Sequence, residues 1–171
     1  MHLQLRHSSS VSMGIFFEYQ ALECLSRYGM SLRRVGGTGD RGIDLRGMFT
    51  LPCKTHHKRM DFPLIIQCKF ENAPLGPKYS RELLGTLGAE SPGTIGMLVS
   101  HMGFSKQSLQ CMHASHAPLL FSVIQNGTCT QFLVNRRAQG LLPGLVSRPG
   151  PQGVQLFLDG IMLTNGSDSG S

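Results

Sequence analysis

Strand-like and helix-like segments alternate along this chain, and this alternation limits the possible folds more than any other feature of the sequence. The strongest strand pattern is the short apolar run LIIQCKF at residues 64–70. A helical pattern follows at 79–88, then a strand at 94–100, a helix at 105–116 and a strand at 119–124. Strands that alternate with helices predict an α/β fold with a mixed β-sheet flanked by helices.

The remaining segments extend this pattern towards both ends of the chain. Ser12 is predicted to cap a helix over residues 13–28, with Gly29 ending it. Further strands are predicted from Ser31, at 42–47, and on either side of an Asn126-Gly127 turn. A short helix is predicted at 136–142 and a last strand at 154–163. Two stretches are predicted as loops, a polar, basic excursion at residues 48–63 and a Gly/Pro-rich connection at 143–153.

The composition describes a single compact domain. Hydrophobic residues make up 40% of the 171 residues and charged residues only 15%, which argues against intrinsic disorder. No apolar run approaches the ~20 residues of a membrane span, so no integral membrane association is expected. Five cysteines without a CxxC pair argue against a disulfide framework. We expect a flexible N-terminus with weak targeting character at 1–12, one domain at 13–163 and a polar tail at 164–171.

Positive charge is concentrated in the first third of the chain. The net charge is +6, and residues 1–60 carry nine Lys or Arg against four Asp or Glu. An excess of this kind favours an anionic partner, nucleic acid first and an anionic membrane second. An ordinary solvated surface is the alternative explanation.

Glu18 occupies an unusual position on the first predicted helix. On a helical wheel it lies inside the apolar arc, between Leu22 and Leu25. A carboxylate that faces a core is costly unless a cation or hydrogen-bond donors meet it. Glu18 is therefore either part of a functional site or a buried partner of an arginine, and the nearby arginines are Arg33, Arg34 and Arg46.

Polar side chains also interrupt two predicted strands. Gln67 and Lys69 share one face of the 64–70 strand, and Asp44 lies mid-strand although Asp is a poor strand former. These residues and Glu18 can be explained together if they converge on one divalent metal ion and one phosphate. Mg²⁺ prefers oxygen ligands and keeps several of its waters, which suits a small number of carboxylates.

The ordered set of Glu18, GDRGID with Asp44, QCK with Gln67 and Lys69, and PKYSRELLG from Pro77 resembles the active-site signature of the PD-(D/E)xK nuclease superfamily. The central Gln is similar to the Mrr-type restriction endonuclease group. Downstream, GMLVS, the Asn-Gly turn and QFLVNRRA also resemble the fungal mitochondrial "required for respiratory growth" Mrr-like proteins. The resemblance covers residues 13–163.

This resemblance implies a restriction-endonuclease-like mixed β-sheet flanked by helices and a metal-dependent nuclease that hydrolyses phosphodiester bonds. Asp44, Gln67, the backbone carbonyl of Cys68 and Glu18 would bind Mg²⁺ or Mn²⁺, and Lys69 would activate the attacking water. Further residues would support the site or contact phosphate: Asp40, Arg41, Glu82, Arg33 and Arg34, with Lys54, Lys58 and Arg59 as additional backbone contacts.

The same resemblance implies partners and a location. DNA is favoured over RNA, a homodimer stays open as the way to cut two strands, and a mitochondrial location is expected. The main alternative is a catalytically silent module on the same fold that binds nucleic acid or another protein.

Two other site classes are not favoured by the sequence. A strand, rather than a helix, follows GGTGDRG, so this segment lacks the helix N-terminus of a phosphate-binding loop. Cys53, His56 and His57 have fragments of zinc-ligand spacing but no second pair of ligands nearby.

Overall fold

The computed structural model describes residues 10–37, 39, 41–53 and 59–163. Its helices are α1 (Ser10–Ser26), α2 (Pro77–Leu87), α3 (Lys106–Ala114) and α4 (Arg136–Leu141). Its strands are β1 (Met30–Arg34), β2 (Leu45–Pro52), β3 (Arg59–Lys69), β4 (Ile95–Ser100), β5 (Leu119–Gln125), β6 (Thr128–Val134), β7 (Leu145–Gly150), β8 (Gly153–Leu158) and β9 (Ile161–Met162).

The first six strands form one mixed sheet in the order β1-β2-β3-β4-β5-β6. Strands β1, β2 and β3 are antiparallel neighbours, β3, β4 and β5 run parallel, and β6 returns antiparallel to β5. The parallel pairs need crossover connections, which α2 and α3 supply. The predicted α/β class, a mixed sheet flanked by helices, is confirmed.

The two faces of the sheet bury separate apolar clusters. Leu64 and Ile66 of β3 belong to the cluster that contains Phe17 of α1. Ile65, between them in sequence, belongs to the cluster that contains Leu83 of α2. This alternation follows from the two-residue period of a strand, and it places α1 on one face and α2 on the other. The central strand β3 is therefore covered on both sides.

The predicted excursion at 48–63 is wrong, because most of it is strand. β2 and β3 continue as an antiparallel pair with Phe49 opposite Phe62 and Leu51 opposite Met60. Pro63 is tolerated because its missing N–H removes no hydrogen bond of the sheet. Even-numbered residues of β3 direct their backbone groups towards β2, so those of Pro63 point away from it. On the other side, pairing with β4 begins only at Leu64. Lys54, His56, His57 and Lys58 lie outside the described residues.

The predicted connection at 143–153 is also wrong. Residues of β7 pair with β8 in a second, three-stranded antiparallel sheet, and Pro149 is accommodated because β7 is an edge strand of that sheet. The predicted last strand is divided into β8 and β9 by Asp159 and Gly160, which have φ angles of 51° and 85°. Two successive positive φ angles are the geometry of a tight hairpin turn.

Helix α1 begins at Ser10, so Ser12 lies inside the helix instead of capping it. The helix ends at Ser26, two residues before the predicted end, and Gly29 has a φ of 82° in the turn that follows. The Asn126-Gly127 turn is confirmed, with φ angles of 50° and 73° between β5 and β6. Among the described helices, none is both long and apolar enough to cross a membrane.

We expect Gly47→Ala to destabilise the protein strongly. A Cβ at this position of β2 would lie 1.9 Å from the backbone oxygen of Ser31 in β1, so the two strands would have to separate. Gly14→Ala in α1 is the matched control, because a Cβ there meets nothing within 4 Å and alanine favours a helix by about 1 kcal/mol. Urea unfolding of both variants tests this. Equal stability of the two variants would contradict it.

A second prediction concerns the bidentate ion pair of Arg46 with Glu90, at 2.6 and 2.9 Å. The hydrogen bonds from Arg46 lower the pKa of Glu90 below its ordinary value of 4.5. A lowered carboxyl pKa stabilises the fold above the unfolded value and loses this effect as the pH falls through the folded value. Glu90→Gln should therefore cost up to about 1 kcal/mol at pH 7, with the difference from wild type narrowing below pH 4.5.

The control for this prediction is Glu23→Gln, which removes an exposed carboxylate of α1. Its free energy of unfolding at pH 7 should stay close to that of wild type, because the carboxylate removed is exposed. A Glu90→Gln variant whose free energy of unfolding differs from wild type by the same amount at pH 7 and at pH 4 would show that the ion pair does not contribute.

Candidate active site

Asp44 is fixed against the end of β3 by its backbone and its side chain. Its N–H donates to the carbonyl of Ile66 at 2.9 Å, and its Oδ2 accepts the N–H of Cys68 at 2.7 Å. Its own carbonyl accepts the N–H groups of Val35 and Gly36. Asp44 is therefore held just before β2, where the antiparallel pairing with β3 ends.

Glu18 approaches the same place from α1. Its Oε2 accepts a hydrogen bond from Nε of Arg34 at 2.5 Å, and its side chain is only 12% exposed. This bond is the main cause of a raised pKa of the Arg34 guanidinium. The pairing with an arginine, left open by the sequence, is present, and Arg34 of β1 is the partner.

Gly36 marks the point where these groups converge. A Cβ built on Gly36 would lie 3.6 Å from each of three atoms, Asp44 Oδ1, Glu18 Oε2 and Arg34 Nη2. Burial, and then the negative charges of Asp44 and Glu18, raise the pKa of the Cys68 thiol well above its ordinary value. The structure thus brings the two predicted carboxylates together beside Cys68.

Gln67 and Lys69 line a cleft of about 390 Å³ on the other face of the sheet, together with Arg41, Arg81 and Glu82. Gln67 is 2% exposed, and within the described part of the chain its Oε1 is the one buried side-chain oxygen or nitrogen without a hydrogen-bond partner. Leaving such an acceptor unsatisfied costs about 1–3 kcal/mol. Gln67 Oε1, at the end of β3, is therefore an acceptor that is available to a bound ligand.

Glycine is required next to this acceptor. Gly42 has a φ of 77°, and a Cβ on it would come within 3.1 Å of Nε2 of Gln67. The neighbouring Arg41 also has a positive φ, 56°, and its carbonyl accepts the hydroxyl of Thr86 at 3.0 Å. Arg41 and Gly42, at the end of the GGTGDRG segment, therefore form a strained turn that is tied to α2 and borders the cleft.

Lys69 lies at the last position of β3. Its ammonium group is 5.8 Å from the centre of the Tyr79 ring, and that tyrosine donates its hydroxyl hydrogen to Glu71 at 2.7 Å. Glu82 lines the same cleft as Lys69. The ion pairs found among the described residues involve Glu18 and Glu90 instead.

The donor set suits a hard cation that is held by few charges. Among the described residues, no group of three or more His, Cys, Asp or Glu side chains is placed to hold a metal ion. Three oxygen sources remain at the end of β3: the Asp44 carboxylate, Gln67 Oε1 and the Cys68 carbonyl. The Cys68 carbonyl faces the β2 side, because the N–H and C=O of one strand residue point the same way. These donors fit Mg²⁺ or Mn²⁺ better than zinc.

Two predicted phosphate contacts lie apart from the Glu18 and Asp44 carboxylates. Arg33 is exposed and alternates with Arg34, so its side chain lies on the opposite face of β1 from that of Arg34. Arg59 begins β3, roughly 30 Å from Lys69 at the strand's far end. Asp40 lies outside the described residues.

Arg81 lines the cleft and was not singled out from the sequence. The sequence signal for Arg81 is the REL segment, in which Arg81 directly precedes Glu82 on the helix that covers this face of β3. The resemblance indicated a role for Glu82 in that segment but not for Arg81.

Two solved structures are similar to this chain. One is the DNA modification-dependent restriction endonuclease AspBHI, with a TM-score of 0.47 and 15% identity over 67% of this chain and 29% of that protein. The other is the MspJI restriction endonuclease in complex with a 27-mer oligonucleotide, with a TM-score of 0.43 and 14% identity over 71% of this chain and 32% of that protein.

Two curated relatives are fungal. An uncharacterized mitochondrial protein of Schizosaccharomyces pombe is 31% identical over 148 residues, which are 82% of this chain and 58% of the relative. The mitochondrial Required for respiratory growth protein 7 of Zygosaccharomyces rouxii is 25% identical over 159 residues, 68% of this chain and 65% of the relative. The chain thus spans less than two thirds of either relative. Both are named as mitochondrial proteins, the location that the sequence resemblance predicts.

One family model matches residues 9–64 and 53–142, which together cover most of the chain and include Glu18, Asp44, Gln67 and Lys69. The model describes Required for respiratory growth protein 7. The chain belongs to the Required for respiratory growth protein 7 family.

Proposed function

We propose that this protein is a metal-dependent nuclease of the PD-(D/E)xK type that hydrolyses phosphodiester bonds in DNA. The observation that carries the proposal is the buried, unpartnered Oε1 of Gln67 in a cleft that also presents Lys69. Asp44 is held at the same end of β3 by the hydrogen bond that it accepts from the Cys68 N–H. A buried acceptor, a carboxylate and an ammonium group at one strand end are the groups that such hydrolysis needs.

The Asp44 carboxylate, Gln67 Oε1 and the Cys68 carbonyl would hold the Mg²⁺ or Mn²⁺ ion. When bound, the ion supplies a Lewis acid that lowers the pKa of water and neutralises charge on a phosphoryl oxygen. Glu18 would act through a water molecule, since one of its oxygens already accepts from Arg34. A single carboxylate among the direct donors predicts modest metal affinity.

The chain's own cations would handle the charge of the substrate. Lys69 would orient the attacking water and stabilise the negative charge that grows on phosphorus-bound oxygens during in-line attack. Arg41 and Arg81, which line the same cleft, would contact the phosphates that flank the scissile bond. Such backbone contacts position a strand without reading its sequence.

A second candidate function is a catalytically silent module that binds nucleic acid or another protein. The observation in its favour is the ion pair of Glu18 with Arg34, which neutralises one of the two carboxylates near Gly36. A site with so little net negative charge binds a divalent cation weakly. Both candidates predict a basic surface for an anionic strand.

The proposal includes a mitochondrial location, on the names of the two curated relatives. It also includes DNA as the preferred nucleic acid. One site cuts one strand, so cleavage of both strands would require two sites, as in a homodimer.

Asp44→Asn and Lys69→Ala should each reduce metal-dependent cleavage by about 100-fold or more, because each removes a charge at the reacting groups. The measurement is nicking of supercoiled plasmid and of branched DNA with Mg²⁺ or Mn²⁺. Asp61→Asn and Arg136→Ala are the matched controls, since they remove exposed charges elsewhere and should retain activity.

The outcomes separate the candidate functions. Cleavage by wild type that is lost in Asp44→Asn supports the nuclease. Salt-sensitive DNA binding by both proteins without cleavage would favour the silent nucleic-acid-binding module. The absence of both activities from the folded protein would favour an interaction with another protein.

Gln67→Glu should strengthen Mn²⁺ binding by about tenfold or more, because it places a negative charge where the neutral Oε1 lies now. Gln67→Leu should weaken binding, because it removes the oxygen. Calorimetric titration with Mn²⁺ measures both, with thermal unfolding as a check that each variant is folded. Equal affinities in folded Gln67→Glu, Gln67→Leu and wild type would show that Gln67 is not a ligand.

A further inference from the structure

Helix α1 presents two exposed aromatic rings that the active site does not use. Phe16 is 58% exposed and Tyr19 is 55% exposed. Among the described residues, they are the only aromatic side chains in the set of exposed large hydrophobic residues. They lie three residues apart, so they are neighbours on one side of the helix. We name this pair the aromatic platform.

Tyr19 of the aromatic platform borders the candidate active site. Arg34, the partner of Glu18, places its guanidinium carbon 5.8 Å from the centre of the Tyr19 ring. One arginine therefore contacts both a site carboxylate and the platform. A ligand that lies on Tyr19 would therefore be separated from the Glu18 carboxylate only by the side chain of Arg34.

The helix is fixed to the end of β3 at this level. The ring of Phe17, next to Phe16, is 5.5 Å from the ring of Phe70 and 6.0 Å from that of His101. Phe70 directly follows Lys69 in sequence. Since Phe17 is buried, the rings of the platform are held at the sheet edge that carries the site.

We propose that the aromatic platform stacks unpaired bases of a single-stranded nucleic acid and leads that strand into the site. This inference rests on the proposed function for the identity of the site but not on catalysis itself. An exposed ring offers a base one free face and gains about 1–3 kcal/mol per stacked base. Bases inside a continuous duplex are stacked on each other, so they have no free face to offer. The substrate would therefore carry an unpaired segment, such as an end, a gap or a flap.

Charge complementarity favours a nucleic acid over an apolar protein partner. Arg34 lies over Tyr19, and it stays 28% exposed although its Nε is paired with Glu18. A guanidinium beside an aromatic ring is a recurrent arrangement for a base and its phosphate. An apolar protein surface would have to bury this ion pair without offering it a polar group.

The test compares strands of equal length by fluorescence anisotropy with the full chain. Labelled 20-nucleotide oligo(dT) and oligo(U) are the single-stranded probes, and a 20-base-pair duplex is the control ligand. Phe16→Ala and Tyr19→Ala should each weaken single-strand binding by about fivefold or more and duplex binding by less than twofold. Tyr19→Phe should retain binding, since it keeps the ring. Val11→Ala, which shortens an exposed aliphatic side chain of the same helix, should also retain it.

Ring-dependent binding of either single strand supports the inference, and the ratio of the two affinities tells whether DNA or RNA is the better ligand. Equal losses on single strand and duplex would overturn it, as would unchanged binding in folded variants. A dimer that dissociates when the rings are removed would assign the face to self-association instead.

This test is separable from that of the nuclease. Ring-dependent binding without any cleavage would reject the proposed function and keep the inference. Cleavage that is unaffected by loss of both rings would support the proposed function and reject the inference.

Discussion

The hydrogen bond from the Cys68 N–H to the Asp44 carboxylate is the interaction on which the candidate site depends. The backbone N–H of Asp44 also donates to the carbonyl of Ile66, so both the backbone and the side chain of Asp44 are anchored to β3. The strained turn before it then closes over the strand end, with Gly42 leaving room for the Gln67 amide. This anchor keeps the Asp44 carboxylate at the end of β3, beside the residue that precedes Lys69.

Around this anchor, the molecule places a satisfied carboxylate on the α1 side of the sheet and an unsatisfied amide on the α2 side. Arg34 compensates Glu18, whereas Gln67 Oε1 is buried without a partner. A chain under selection for stability alone gains by satisfying both groups. The unsatisfied acceptor is therefore the more informative of the two, and the proposed metal site and its modest affinity both follow from it.

The sequence predicted the central layers well because their signals are local. The alternation of Ile65 and Ile66 is visible in the run itself, and Asn126-Gly127 predicts its own turn. The errors arose where pairing decided the structure. Residues 48–63 contain two prolines and many charges, yet Phe49 and Leu51 are buried through pairing with a distant part of the chain. Asp159-Gly160 was a local turn signal that was overlooked.

The periodicity of the sequence reveals which groups are unusual. Glu18 breaks an apolar arc, and Gln67 and Lys69 interrupt an apolar strand, because a regular pattern makes a misplaced polar residue visible. The partners of those groups depend on the folded sheet. Glu18 and Arg34 are sixteen residues apart in sequence, and Asp44 and Cys68 are twenty-four apart. These side chains and backbone groups meet only when the sheet forms, because no local pattern of the sequence encodes their relative positions.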